Sequence, residues 1–369
     1  MLRILFAGLK FDYGKPELGL SFELHNFVGA LKRMDGVDVA FYPVDEQMRM
    51  LGRDGMNADL ICTVQRSAPD LLFCCLYTEE IKRDTIEYVT SQTGTKTFNW
   101  FCDDHWRFWT FSRHWAPLFT AVATTDSQSV AKYANCGIHN VIRSQWAANH
   151  HIYQPQDSLS NPGSYTISFV GQKHGNRSLY INALQRQGLP ITAFGSGFPA
   201  GRIEFNRMLE VFSWSRVNLN FSGTPARGAA HLWKELAKLV VKKELGRYKF
   251  NAHRIRDNFL SMVGAMRPQI KGRIFEIPAC GGFLMTTRDD SLCEYYVPGK
   301  EIVFFEDADD LVEKCRYYLK HEDERRAIAE AGYRRTLVQH TYAHRFNQIF
   351  QRMGLLSRCG EIHSGAPQL

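Results

Sequence analysis

Short apolar runs of strand length alternate with helical patterns along nearly the whole 369-residue chain. The first run, residues 3–8, is followed by a polar loop and then by Ser21, a residue type that favours helix N-caps. The same strand–loop–helix order returns many times. Because a parallel strand needs a crossover helix to reach its neighbour, this alternation predicts an α/β fold with doubly wound, Rossmann-like parallel sheets.

The alternation is interrupted once, which predicts two domains. Residues 151–164 contain two prolines, a glycine and several Ser/Asn residues without periodicity, a composition typical of a linker. We therefore predict Rossmann-like domains over residues 1–150 and 165–342, with residues 343–369 as a final helix and tail. Two such sheets are expected to face a cleft, each binding one substrate at its strand ends.

The positive charge of the chain is concentrated in one segment. Residues 234–273 carry eleven Lys/Arg against three Asp/Glu, so the rest of the chain is close to neutral despite a net charge of +7. Apolar residues at helical spacing predict a helical insertion over residues 223–268. The basic stretch 231–273 could bind an anionic acceptor or an anionic membrane surface, and a solvated helical face is an equal alternative. Nucleic acid is not favoured, because no recognition motif accompanies the charge.

Composition excludes several other classes. Hydrophobic content of 44% and charged content of 22% are those of a globular protein. No apolar run approaches transmembrane length, and the first residues lack the features of a signal peptide. Nine cysteines occur without CxxC pairs or metal-ligand spacing, which predicts a cytoplasmic protein with reduced thiols and no metal site.

One acidic residue lies within an apolar segment near the end of the second half. Glu276 precedes a glycine pair and a second apolar run, a pattern that predicts a short helix, a glycine stop and a buried strand. A core-facing carboxylate needs a partner, and a ribose diol is one that α/β proteins provide for. Lys271 and Arg273 stand just ahead and suit phosphates, Arg273 the better through its bidentate fork. The alternative is a solvated Glu on a surface helix.

Two glycine-bearing loops follow the first strands of the second half. Gly171 is followed by Lys173 and Arg177, and Gly195 comes after the next strand. Glycine lets a helix N-terminus approach a phosphate closely, and the basic residues add charge. Gly195 could also admit the edge of a nucleobase. Ordinary βα turns are the alternative for both loops.

Five motifs, spread over most of the chain, together resemble the GT-B glycosyltransferases of the CgeB-like (spore-maturation-type) group. They are Gly8-Leu-Lys-Phe-Asp-Tyr-Gly14, Asn99-Trp-Phe-Cys-Asp-Asp-His-Trp-Arg-Phe108, Thr124-Thr-Asp126, Ser144-Gln-Trp-Ala147 and Gln269-Ile-Lys-Gly-Arg-Ile-Phe-Glu276. The resemblance implies a nucleoside-diphosphate-sugar donor in the C-terminal domain and a glycan, lipid-linked or protein acceptor on the N-terminal domain. It also implies no obligatory metal and a final helix that crosses back to the N-terminal domain. Many retaining relatives have a second glutamate where this chain has Pro268, so the stereochemical outcome stays open.

Within the resemblance, Asp103, Asp104 and His105 are the candidates for catalysis. An inverting transfer needs a base for the acceptor hydroxyl proton, and carboxylates or imidazole serve that purpose. The neighbouring Trp106 and Trp109 offer surfaces for sugar stacking. The alternative is a polar turn in which one aspartate caps the next helix. Two further functions stay open: a nucleotide-sugar epimerase or hydrolase on the same fold, and a non-catalytic nucleotide- or glycan-binding protein.

Overall fold

The computed structural model describes residues 1–157, 165–222, 241–244, 247–250 and 255–356. The chain forms two compact units. Met1–Gln145 and the chain from Tyr342 onward make up the first, and Trp146–Thr341 the second. The last helix is therefore part of the first unit.

The first unit is built on a six-stranded parallel sheet in the order β2-β1-β3-β4-β5-β6. The strands are β1 (Leu2–Gly8), β2 (Val37–Pro43), β3 (Leu71–Cys74), β4 (Lys96–Phe101), β5 (Ala121–Thr124) and β6 (Val141–Arg143). Its helices are α1 (Gly29–Leu31), α2 (Val44–Ser67), α3 (Arg83–Gln92), α4 (Asp104–Arg107), α5 (Arg113–Trp115), α6 (Ser129–Asn135) and the closing helix α13 (Tyr342–Arg352). β3 and β5 are buried along their whole length, as expected of parallel strands covered on both faces.

Helix α13 packs its apolar face on this sheet. Tyr342, Phe346 and Phe350 are fully buried. The Phe346 ring lies 5.7 Å from both Phe27 and Phe73, centroid to centroid. Burying an aromatic side chain of this size stabilises by about 1.5–3 kcal/mol, so the helix is a structural part of the first unit.

The second unit contains a five-stranded parallel sheet in the order β13-β12-β9-β7-β8. The strands are β7 (Tyr165–Val170), β8 (Ile191–Phe194), β9 (Ser215–Asn220), β12 (Leu284–Thr287) and β13 (Val303–Phe305). The described helices are α7 (Arg177–Arg186), α8 (Phe205–Trp214), α9 (Ile255–Ala265), α10 (Arg273–Ala279), α11 (Ala308–Lys320) and α12 (Glu322–Gln339). In both sheets the first and third strands are neighbours, which confirms the predicted doubly wound α/β fold.

Two sequence predictions need correction. The predicted helical insertion is partly wrong: β10 (Val241–Glu244) and β11 (Arg247–Phe250) pair in antiparallel fashion, and only α9 is helical among its described residues. Its part over residues 223–240 lies outside the described residues. Helix α2 begins at Val44, although the sequence predicts a helix only around residues 57–65. Gly52, with φ +70°, has a non-helical conformation inside α2 and interrupts the helical apolar pattern. The turns before it therefore could not be predicted from the sequence.

Candidate functional site

Helix α10 places Glu276 in the interior of the second unit. Ile274 through Ala279 are all buried, and the chain leaves the helix at Gly281, whose φ is +71°. A Cβ on Gly282 would lie 2.5 Å from the carbonyl oxygen of Phe212, so only glycine fits there. The predicted order of short helix, glycine stop and buried strand is confirmed.

The Glu276 carboxylate has one oxygen paired and one unsatisfied. The side chain is 0% exposed, and its Oε2 accepts from the Arg273 guanidinium. Its Oε1 is buried without a hydrogen-bond partner among the residues that the structure describes. Leaving a buried acceptor unsatisfied costs about 1–3 kcal/mol, and more when it is charged, so this oxygen calls for a donor beyond the described residues. Glu276 is not a solvated surface residue.

Arg273 carries its charge at the edge of this interior. Its side chain is 31% exposed, and its guanidinium carbon lies 5.4 Å from the centroid of the Phe212 ring. Burial opposes the charge, but the Glu276 carboxylate outweighs it and leaves the pKa of Arg273 above its ordinary value. Lys271, half-buried, stands two residues earlier. A cation held beside an unsatisfied carboxylate can bind phosphate while the acid binds hydroxyl groups.

The loops after β7 and β8 are joined at the carboxyl edge of the same sheet. The Gly171 N–H donates to the Phe194 oxygen at 2.9 Å, and the Lys173 N–H donates to the Ser196 oxygen at 2.9 Å. β7 lies beside β9, so this edge is the switch point at which such sheets bind ligands. Gly171 and Gly195, both selected from the sequence, are therefore brought together.

The basic residues of the first loop differ in exposure. Arg177 donates to the Gln172 oxygen at 2.8 Å and places its guanidinium carbon 5.4 Å from the Phe169 ring centroid. Burial lowers the pKa of Arg177 below its ordinary value. Lys173 is exposed. Arg177 thus fixes the loop through its bond to Gln172, and Lys173 adds an exposed charge.

Replacing Gly195 by alanine should destabilise the second unit strongly. Gly195 has φ +133°, and a Cβ on it would lie 2.0 Å from the Gly171 oxygen. Gly188 makes a matched control, because it also has a positive φ, +69°, with nothing within 4 Å of its Cβ position. In urea unfolding, Gly195→Ala should lose about 2–3 kcal/mol more than Gly188→Ala through steric overlap. Equal losses would contradict the close approach of the two loops.

The segment after β4 carries the three catalytic candidates of the first unit. Asp103 is half-buried, and its main-chain oxygen accepts from the N–H groups of Trp106 and Arg107 at 3.1 and 2.9 Å. Its carboxylate does not cap α4. His105, in the first turn of α4, is buried. Asp103 is the only one of the three with substantial exposure.

Asp104 points into the core. It is 0% exposed, and the Tyr133 hydroxyl donates to its Oδ2 at 2.9 Å. Its Oδ1 is buried without a hydrogen-bond partner among the residues that the structure describes. Burial is the largest influence and raises the pKa of Asp104 to about 6, against the opposing effect of Ser112, Thr124 and Tyr133.

Asp104 should make the stability of the first unit depend on pH. Its folded-state pKa of about 6 exceeds the ordinary 3.8, so its favourable contribution is complete below about pH 4 and is lost as the pH rises through 6. Asp104→Asn removes the titration. The free energy of unfolding of the variant, relative to the parent, should therefore gain about 2–3 kcal/mol between pH 4 and pH 7. Urea titrations at both pH values measure this difference; parallel behaviour of the two proteins would contradict it.

Exposed aromatic rings accompany the strand ends of the first sheet. Tyr13, Tyr77 and Trp106 follow β1, β3 and β4, and the rings of Tyr13 and Tyr77 are 5.6 Å apart. Arg107 contacts two of these residues. It donates to the main-chain oxygen of Tyr77 at 2.7 Å, and its guanidinium carbon lies 5.7 Å from the centroid of the Trp106 ring. Tyr77 was missed by the sequence reading, because no local motif marks it. Trp109, the other predicted stacking residue, is half-buried beside Arg113.

The chain is similar to known proteins both in part of its sequence and in its fold. The family model described as "Glycosyl transferase-like" matches residues 234–351. The fold is that of the GT-B glycosyltransferases. Among the residues that the structure describes, no helix has the length and apolar character needed to cross a bilayer.

Individual relatives and solved structures match most of the chain. The chain is 19% identical over 289 residues to spore protein CgeB of Bacillus subtilis (strain 168), a match that covers 78% of this chain and 84% of that protein. Sucrose-phosphate synthase from Thermosynechococcus elongatus superposes with a TM-score of 0.60 at 11% identity, covering 97% of this chain and 100% of that one. HepE of Anabaena in complex with UDP-glucose gives 0.59 at 11% identity, covering 96% and 100%. The predicted resemblance to the CgeB-like GT-B group is confirmed.

Proposed function

We propose that the second unit binds a nucleoside diphosphate sugar and that the chain transfers its sugar, a hexose or a close relative, to a hydroxyl acceptor. The observation that carries this proposal is the buried Oε1 of Glu276, which lacks a partner among the described residues. A ribose diol supplies two hydroxyl donors to a carboxylate. Uridine is the favoured base, because HepE, with the same fold, was solved with UDP-glucose.

The diphosphate would be neutralised by basic residues of the second unit. Arg273 and Lys271 lie at the start of α10, Lys173 lies in the loop after β7, and Arg177 is the first residue of α7. The leaving diphosphate gains negative charge in the transition state, so fixed cations stabilise that state more than the ground state. Gly171 and Gly195 would keep the loop backbones close enough to contact the phosphates. The donor chemistry therefore requires no obligatory metal.

The acceptor would bind to the first unit at its exposed aromatic rings. Tyr13, Tyr77 and Trp106 offer apolar faces of the kind that stack on sugar rings. Asp103 or His105 would receive the acceptor hydroxyl proton, whereas the burial of Asp104 fits a hydrogen-bonding role in the core better. The acceptor class, whether a glycan, a lipid-linked sugar or a protein, is left open.

We also propose that the protein is cytoplasmic and makes peripheral contact with a membrane. Helix α9 exposes Ile255, Phe259 and Val263, and Met266 follows its last residue, each at least 43% exposed, within the basic stretch. An exposed apolar helical face with basic neighbours favours an anionic membrane surface.

The experiment that tests transfer measures products from UDP-glucose with and without added glycan acceptors. We expect release of UDP to rise with acceptor, and the sugar to appear on the acceptor. UDP release at one rate, with free glucose as the product whatever the acceptor, would indicate a hydrolase. Interconversion of sugars without UDP release would indicate an epimerase. Binding of UDP without any turnover would indicate a nucleotide-binding protein.

A further inference from the structure

Three metal-ligating side chains from separate parts of the first unit meet at the carboxyl edge of its sheet. Cys75 follows β3, Cys102 follows β4, and Glu23 lies in the turn of helix just before the π-helical segment Leu24–Val28. Their ligand atoms all lie within 4.8 Å of one another. β1 and β3 are neighbours in this sheet, so the cluster is near the edge where doubly wound sheets bind ligands.

The spacing of the two sulfur atoms fits a bound metal ion. Cys75 Sγ and Cys102 Sγ are 3.8 Å apart. Two zinc–sulfur bonds of about 2.3 Å at a tetrahedral angle separate the sulfurs by about 3.8 Å. A disulfide would require about 2.0 Å. The Glu23 Oε1 lies 3.9 Å from Cys75 Sγ, within a small side-chain adjustment of the roughly 3.5 Å expected for a shared zinc ion.

The surroundings of the cluster also favour a cation. Cys75 is buried and lines a small cavity together with Ala7, Gly8 and Leu76. Carboxylate oxygen and two sulfurs form a donor set that selects a thiophilic ion such as Zn²⁺ over Mg²⁺ or Ca²⁺.

We propose that Glu23, Cys75 and Cys102 bind one Zn²⁺ ion, with the fourth tetrahedral position left to water. Binding releases the two thiol protons to solvent, because the ligands are thiolates. Three protein ligands and one open position are typical of zinc sites that exchange their fourth ligand. The site lies in the first unit and is independent of the proposed donor chemistry in the second.

The test uses Co²⁺ as a spectroscopic probe on the reduced full chain. We expect one Co²⁺ per chain, with a sulfur-to-cobalt charge-transfer band that Zn²⁺ displaces. Cys75→Ser and Cys102→Ser should each lower the affinity at least about tenfold and weaken the band. Cys62→Ser and Cys136→Ser serve as matched controls, because both cysteines are exposed, and they should leave the titration unchanged.

A second variant keeps the test decisive if the buried cysteine variants fold poorly. Glu23→Gln preserves the shape of the side chain and should weaken Co²⁺ binding while keeping the sulfur band at saturation. Absence of the band in the parent chain would overturn the proposal, as would a band that survives both cysteine substitutions. Closure of a Cys75–Cys102 disulfide by peroxide in a chain that takes up no Co²⁺ would instead identify a redox pair and also overturn it.

Discussion

Glu276→Gln should lower the affinity for UDP and UDP-glucose roughly 10- to 100-fold. A hydrogen bond to a charged group contributes about 1.5–3 kcal/mol, and the variant loses the charge on both ribose contacts. The substitution keeps the volume of a side chain that is fully buried, so the helix around it should stay folded. Isothermal titration calorimetry measures the affinity, and thermal unfolding without nucleotide checks the fold.

Glu330→Gln is the matched control for this experiment. Glu330 also pairs with an arginine, Arg334, at 2.6 Å, but both side chains are more than half exposed. Its replacement should leave nucleotide affinity unchanged. If Glu276→Gln binds UDP as tightly as the parent chain while remaining folded, the carboxylate has no role at the ribose.

Asp103→Asn or His105→Gln should lower turnover by about 10²–10⁴-fold with little change in donor affinity. General base catalysis contributes a factor of this size, and these groups belong to the first unit, whereas the residues proposed to bind the nucleotide belong to the second. Sugar transfer at saturating donor and acceptor gives kcat, and calorimetry with UDP gives the donor affinity.

Asp104→Asn is the internal comparison for these two variants. It changes a carboxylate in the same segment, but one that is fully buried and bonded to Tyr133. It should change stability and its pH dependence more than turnover. Full activity in both Asp103→Asn and His105→Gln would place the base elsewhere, and a collapse of kcat in Asp104→Asn alone would assign the role to that residue.

The sequence was most informative where apolar periodicity decides structure. The sequence predicts strands over residues 165–170 and 191–194, and both have these bounds in the structure, where each strand ends directly before a glycine. The predicted cap at Ser21 is confirmed by its hydroxyl, which accepts from the Leu24 N–H at 3.1 Å. Local rules failed at α2, where Gly52 interrupts the pattern, and in β10 and β11, which form a strand pair inside the predicted helical insertion.

The candidate sites depended on information of a different kind. Glu276 could be selected because a lone acid in an apolar segment conflicts with burial. Its unsatisfied oxygen, in contrast, is visible only in three dimensions. The cluster of Glu23, Cys75 and Cys102 could not be predicted, because its members come from separate segments and have no metal-ligand spacing in sequence. Asp103 is half-buried whereas Asp104 is buried, and this difference likewise depends on the fold around α4 and not on residue type.

A crystal structure of this chain with UDP tests the central claim most directly. We expect the nucleotide to bind at the carboxyl edge of the second sheet. The Glu276 carboxylate should lie about 2.6–3.2 Å from the ribose hydroxyls, and Arg273 should contact the diphosphate. A nucleotide bound to the first unit, or a Glu276 carboxylate that contacts Arg273 and no part of the ribose, would contradict it.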